Sequence, residues 1–271
     1  MKIVLLCGHQ YNQVALANKI AQQFQLAGII VEQKEIKKLT AFSLKQIIEK
    51  VLNRTVFITL HRSWLKLLDT YKNEYPAFPE TEKIRVSNIN SEASVDFIRH
   101  LQPDLVMVSG TSIVKNKILD LRIPKGIINL HTGLSPYING GPNCTNWCIA
   151  EKQFHLIGST IMWIDAGIDS GDIITTERTL LDGKESLPDL HLKVMNHAHT
   201  LYLKALKKLQ EDPEHCAKVK QKSIAASTTY YNRQWNSNAK WRLLKNLKTL
   251  RAYFKSAQYK IDISKIKTVP L

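Results

Sequence analysis

Short apolar runs, each closed by a polar or glycine-containing turn, limit this chain to few folds. Ile3-Val4-Leu5-Leu6-Cys7 stops at Gly8, and Leu105-Val106-Met107-Val108 runs into Ser109-Gly110. Ile127-Ile128-Asn129-Leu130 opens a loop at His131. Strands covered on both faces have this continuous apolar character. Between the first run and Ile29-Ile30-Val31, the residues Val14, Ala17, Ile20, Ala21 and Phe24 fall at helical spacing. They predict a helix from about Val14 to Leu26, with Gly28 at its end. A strand–helix–strand opening predicts an α/β fold with a doubly wound, mostly parallel sheet.

The rest of the chain extends the pattern. Ser43 with Gln46 is a capping-box signature before helices in residues 34–83. Tyr75-Pro76-Ala77-Phe78-Pro79 must be irregular, and His61, Arg62 and Trp64 read as surface or packing residues. Ile84-Arg85-Val86 is a strand, and Asn90 or Ser91 caps a helix that reaches Leu101 before Pro103. Ile113 to Leu121 is a short helix. Asp172 to about Thr179 is a strand, and Ser186 with Asp189 opens a long helix from Leu187 to about Gln210. His191, His197 and His199 on that helix read as solvated or packing residues, since none shows the zinc-helix pattern.

With 44% hydrophobic residues the chain can bury a sizeable core, yet no stretch approaches the ~20 apolar residues of a membrane span. The first apolar run is too short for a signal peptide, so a cytoplasmic protein is expected. Cys7, Cys144, Cys148 and Cys216 fit no common zinc or disulfide spacing; free thiols and no metal site are expected.

Charge divides the chain at Asp212-Pro213. Residues 213–271 hold 13 Lys and Arg against 2 Asp and Glu, most of the formal net charge of +15. The expected organisation is a catalytic domain over residues 1–212 and a basic, mainly helical extension over residues 213–271. In the extension, an amphipathic helix is predicted from about Ala239 to Ser256, with Trp241, Leu244, Leu247, Leu250 and Phe254 on its apolar edge. That edge either docks on the main domain or leaves the basic face to meet a membrane surface or a phosphorylated partner.

The chemistry gathers between Gly126 and Gly171. Asn129 and His131 stand two apart at a strand end, so their side chains share a face. Asp169 lies in the turn Ala166-Gly167-Ile168-Asp169-Ser170-Gly171, after the apolar run Thr160-Ile161-Met162-Trp163-Ile164. In a parallel sheet these two strand ends can be neighbours. Together they would supply an acyl-transfer site, with Asn129 and His131 stabilising an oxyanion and Asp169 holding the histidine and relaying a proton. Neither Ser135 nor Cys144 sits beside a base in a nucleophile motif, which favours direct attack by a substrate amine. Asn129 as a capping residue and Asp169 as a turn former remain alternatives. The dinucleotide fingerprint is absent. The turn at Gly8 is either a phosphate-binding helix N-terminus or a plain connection.

Asn129-Leu130-His131, Leu134-Ser135-Pro136, Gly140-Gly141, Gly158-Ser159-Thr160 and Asp165-Ala166-Gly167-Ile168-Asp169-Ser170-Gly171 together resemble the folate-dependent formyltransferase family. That family includes glycinamide ribonucleotide, methionyl-tRNA and sugar N-formyltransferases. The resemblance covers residues 84–211 well and residues 1–31 loosely. It implies a Rossmann-like domain, 10-formyltetrahydrofolate as formyl donor, and Asn129, His131 and Asp169 as the catalytic trio. It also implies a folate site formed by Ser112, Ile113, Val114, Asp165, Ala166, Gly167 and Ile168.

The loop with Gly141-Pro142-Asn143 and Trp147 is similar to that of the sugar N-formyltransferases. An amino sugar, nucleotide-linked or lipid- or polymer-linked, is therefore the expected acceptor, and an anionic sugar nucleotide suits a basic protein. Gly8, His9, Gln10, Tyr11, Asn143 and Trp147 are the expected acceptor-binding residues, and a homodimer is a further expectation. Thr132 and Gly133 are unusual in that loop. The alternatives are a formyltetrahydrofolate hydrolase, a formyltransferase acting on a purine-precursor or aminoacyl-tRNA amine, and a binding module that works through its tail.

Overall fold

The structure, a computed structural model, describes residues 1–34, 44–165, 167 and 169–271. In chain order the elements are β1 (Lys2–Gly8), α1 (Tyr11–Ala21), β2 (Gln25–Glu32), α2 (Leu44–Arg54), α3 (Ile58–Glu74), β3 (Glu82–Val86), α4 (Glu92–Leu101) and β4 (Leu105–Ser109). There follow α5 (Asn116–Leu119), β5 (Ile127–His131), β6 (Asn139–Gly140), α6 (Cys144–Ala150), β7 (Gly158–Trp163), β8 (Ile173–Arg178) and α7 (Leu187–Glu211). The chain ends with β9 (Thr229–Tyr230), α8 (Ser237–Leu247), α9 (Leu250–Phe254) and α10 (Ala257–Ser264). Ser43, half of the expected capping box, lies outside the described residues.

The main sheet has the order β3-β2-β1-β4-β5-β7-β8. The strands from β3 across to β5 are parallel; the double-sided burial of β1 and β4 fits such a sheet, while β3 is a largely exposed edge strand. Along β1, Ile3, Leu5 and Cys7 enter a cluster with Leu201, Tyr202 and Leu206 of α7, while Val4 and Leu6 enter another with Val95 and Ile98 of α4. The two-residue period thus splits one apolar run between two helical layers. The chain leaves β1 toward β2 on one side and reaches β4 on the other, so the carboxyl ends of β1 and β4 form a topological switch point. Ligands of open α/β sheets bind there. Gly8 is needed at this point, because a Cβ would sit 2.8 Å from the Gly110 carbonyl oxygen.

Several expectations need correction. Helix α1 spans Tyr11–Ala21 rather than Val14–Leu26, which leaves Phe24 outside it. Gly28 lies within β2, where the register shifts, and its missing side chain makes room for Phe97 and Leu101 of α4. Helix α5 is only four residues long because Asn90 claims the preceding backbone: its carboxamide donates to the Ile113 carbonyl and accepts from the Lys115 N–H. Of the two caps expected for α4, Ser91 is the one that forms, its hydroxyl accepting the Ser94 N–H. Strand β7 pairs antiparallel with β5, matching Ile128 with Trp163 and His131 with Thr160. Asp169 therefore reaches His131 only because the loop after β7 folds back along the sheet.

The predicted basic helix is split, with α8 and α9 separated at Lys248-Thr249. Ala239, Leu243 and Leu250 are buried with Trp147 and Ile149 of α6 and Leu187, Leu190 and Val194 of α7. Burying each leucine contributes ~2 kcal/mol, which explains why this edge docks. Trp241, expected on the apolar edge, is 54% exposed and meets Phe57 edge-on. Among the described residues no helix is long and apolar enough to cross a membrane.

Candidate active site

A cavity of about 710 Å³ opens at the switch point, within the range of small-molecule sites. Asn129, His131 and Asp169 all line it. The two-residue spacing on β5 points Asn129 and His131 to one face, as expected. Among the described residues the Asn129 carboxamide has no side-chain hydrogen-bond partner, so its N–H groups are available to a ligand.

His131 is 7% exposed and held at both ring nitrogens. Nδ1 lies 3.4 Å from Asp169 Oδ2, and Nε2 lies 3.2 Å from the Ile138 carbonyl oxygen and 3.5 Å from Cys144 Sγ. Burial alone would lower its pKa. The Asp169 carboxylate, with Cys144 and the Ile138 carbonyl, outweighs burial and pushes it up to about 10. Burial raises the pKa of the Cys144 thiol against the pull of His131. The thiol is therefore neutral at pH 7, and the Asp169 carboxylate is the charge that keeps the imidazole protonated. Gly133 is needed behind the ring, since a Cβ there would fall 2.3 Å from His131 Nε2.

Asp169 is a non-glycine residue with φ of +48°. Its Oδ2 also accepts the Gly140 N–H at 3.0 Å. Asp165, by contrast, turns its carboxylate back into the loop, accepting from the Gly167 N–H and the Ser170 hydroxyl. It shapes the turn that presents Asp169.

Ser112, Ile113, Val114, Asp165 and Gly167 line the cavity, as do Gly8, His9, Gln10 and Asn143. Ala166 and Ile168 lie outside the described residues. Two expected binding residues are elsewhere. Tyr11 does not line the cavity and packs near Trp64 and Tyr71 at the α1–α3 contact, with Lys72 over its ring. Trp147 is 2% exposed, donates its indole N–H to the Gly141 carbonyl and stacks on Tyr230 at 4.3 Å. It supports the loop from the core side rather than meeting a ligand in this cavity.

Several lining residues carry no local signal in the sequence. Asn12 and Gln13, at the start of α1, are buried, and their Oδ1 and Oε1 atoms have no partner. Buried polar atoms are almost always satisfied, so these two mark places where a ligand's hydrogen-bond donors fit. Glu32, at the end of β2, accepts the Ile89 and Ser112 N–H groups and fixes the loop after β4. Tyr230, Tyr231 and Asn232 reach the cavity from the tail because β9 pairs with β6. All four cysteines are free and buried, and no group of three or more His, Cys, Asp and Glu side chains is placed to hold a metal among the described residues.

Comparison with known proteins gives this geometry its context. The 4-N formyltransferase of Francisella tularensis superposes with a TM-score of 0.56 at 16% identity, covering 90% of this chain and 87% of that one. The N-formyltransferase of Helicobacter canadensis, solved in complex with folinic acid and dTDP-3-aminofucose, gives 0.55 at 16% identity, covering 91% and 81%. At such identity these likenesses show the shared fold alone. In sequence, the methionyl-tRNA formyltransferase of Clostridium tetani is 33% identical over 121 residues, 44% of this chain. That match spans 38% of the relative's own length. The formyl transferase family model matches residues 1–206, about three quarters of the chain and the whole of the main sheet. On that match, the chain belongs to the formyl transferase family.

Proposed function

We propose that this protein transfers a formyl group from 10-formyltetrahydrofolate to the primary amine of an amino sugar carried on a nucleotide, a lipid or a polymer. The observation that carries this reading is the convergence of Asn129, His131 and Asp169 on one cavity with room for a donor and an acceptor.

Two groups of lining residues differ in chemistry. Ser112, Ile113, Val114, Asp165 and Gly167 combine backbone polar groups with apolar surface, which suits the flat heterocycle of the donor. His9, Gln10, Asn12, Gln13, Asn143 and Asn232 offer side-chain hydrogen bonds, with Tyr230 and Tyr231 beside them. They suit a hydroxyl-rich acceptor. When bound, the donor supplies the formyl carbon that the amine attacks.

The chain's own groups have separate tasks. Asn129 donates an N–H to the formyl oxygen as that oxygen gains charge. His131, held protonated by Asp169, adds positive charge beside it. A direct bond from Nε2 requires that nitrogen to leave the Ile138 carbonyl. Asp169 Oδ2 is occupied by Gly140 and His131. Oδ1 has no hydrogen bond among the described residues, so it is assigned to receive the amine proton, directly or through water, and to pass it to the donor nitrogen that departs as its bond to the formyl carbon breaks.

The ligands named for the Helicobacter canadensis neighbour support the pairing of a folate with an amino-sugar nucleotide. A second reading, with an aminoacyl-tRNA amine as acceptor, is favoured by the curated relatives and by the charge of residues 213–271. The test is incubation with 10-formyltetrahydrofolate and parallel panels of amino-sugar nucleotides and aminoacyl-tRNAs, with product mass as the readout. A formylated amino sugar is expected. A formylated aminoacyl-tRNA alone selects the second reading, and folate release without any amine selects a hydrolase.

A further inference from the structure

Residues 213–236 have no part in the resemblance on which the site was first read. In the fold, one of them bonds directly to the backbone of the turn that carries Asp169. Gln221 lies at the start of a short 3-10 turn and is 8% exposed. Its side-chain nitrogen donates to the carbonyl of Asp169 at 2.6 Å and to that of Gly171 at 2.9 Å. Its oxygen accepts from Asn139 Nδ2 at 3.2 Å.

We propose that Gln221 is a positioning residue of the formyl-transfer site, a C-terminal clamp that holds the Asp169 turn so that its carboxylate faces His131. The inference rests on the site reading given above.

The turn needs such a clamp. Its first half is self-supporting, because Asp165 accepts from Gly167 and Ser170. Its second half is not. Asp169 occupies the left-handed region at φ of +48°, which a side chain adopts only when its surroundings impose it. Gly171 is so tightly turned that a Cβ would fall 1.8 Å from the Trp163 carbonyl oxygen. Gln221 engages the carbonyls on both sides of Ser170 with its two N–H groups.

The clamp is itself anchored. Asn139, 2% exposed, donates to Ser227 Oγ as well as to Gln221, and its Oδ1 accepts from the Ser135 hydroxyl. Ser135 donates its backbone N–H to Thr160 Oγ1. One buried chain of hydrogen bonds therefore runs from β7, through the loop after β5 and the tail, to the Asp169 backbone. Such networks hold a single geometry when every member is satisfied. The Gly140 N–H, from the loop locked by that chain, meets the Asp169 carboxylate directly.

The test uses the full chain with Gln221→Leu, which keeps the volume and removes both donors. Gln221→Met is read in the same way should the leucine variant not fold, and the exposed neighbour Lys222→Ala is the control. Three quantities are measured: titration of the His131 imidazole by NMR, kcat and KM for formyl transfer, and the melting temperature. The expected result is a His131 pKa lower by at least one unit, with kcat down tenfold or more and KM within threefold. The control should leave all three at the wild-type values. A lower melting temperature with unchanged His131 titration and unchanged kcat would show a merely structural role and overturn the proposal. The titration needs no substrate. If wild-type protein transfers no formyl group but Gln221→Leu still moves the imidazole, the clamp stands and the assigned reaction falls.

Discussion

Replacing Asp169 by Asn tests the electrostatic core of the site without changing its shape. The carboxylate and the imidazole lie 3.4 Å apart, with side-chain exposures of 18% and 8%. At an effective dielectric constant of ~20, opposite charges at that distance attract by ~5 kcal/mol. Since ~1.4 kcal/mol moves a pKa by one unit, this attraction accounts for a shift of about three and a half units. In the variant, burial pulls the other way and is opposed only by the weaker pull of Cys144 and the Ile138 carbonyl. His131 should therefore titrate at about 10 in the wild type and far lower in Asp169→Asn. Linkage makes the same change visible in stability. A histidine with a raised folded pKa contributes stability in full below pH 6.5 and loses it as pH climbs through the folded value. The wild type should lose stability between pH 7 and 10, and the variant should lack that loss. Titration of imidazole signals by NMR and urea unfolding at several pH values measure the two effects. A wild-type His131 that titrates near 6.5, or an unchanged value in Asp169→Asn, would refute the reasoning.

Other perturbations reach separate parts of the account. Asn129→Ala should lower kcat by ~100- to 1,000-fold, the usual cost of removing one oxyanion donor, while circular dichroism and melting temperature stay close to wild type. His191 and His199 are buried neutral, with burial depressing their pKa values to about 4 and about 3. Because the unfolded chain takes up protons first, stability should fall as pH drops below 6.5, by ~2 kcal/mol per histidine at pH 5. His199→Phe, next to the Tyr71 ring, should flatten that slope in urea titrations. Leu243 of α8 is fully buried against the main domain. Leu243→Ala should cost ~2–5 kcal/mol in a single unfolding transition; a separate early transition with an intact main one would show the tail to be independent.

What could be read from the chain depended on the range of the interaction. Asn129 and His131 were legible because a strand repeats every two residues, and the Asp169 turn because glycines flank it. The parallel strands showed as apolar runs, but such runs carry no direction, so antiparallel β7 looked like the others. The end of α1 was misplaced because Gly28 serves a close helix–strand approach rather than a helix cap. Trp147 looked like a ligand-facing aromatic, although its indole N–H is satisfied by a nearby carbonyl in the core. Gln221 and Glu32 were invisible for another reason. Their partners lie 50 or more residues away, and nothing local distinguishes a clamp from a surface side chain.

The central claim is that Asn129, His131 and Asp169 carry a formyl group from a folate to an amine in one cavity. The most direct measurement is tetrahydrofolate release from 10-formyltetrahydrofolate, followed spectroscopically with and without an amino-sugar nucleotide, in wild type and Asn129→Ala. The account predicts amine-dependent release that the variant loses while remaining folded. Release that ignores the amine, or that survives in Asn129→Ala, would contradict it.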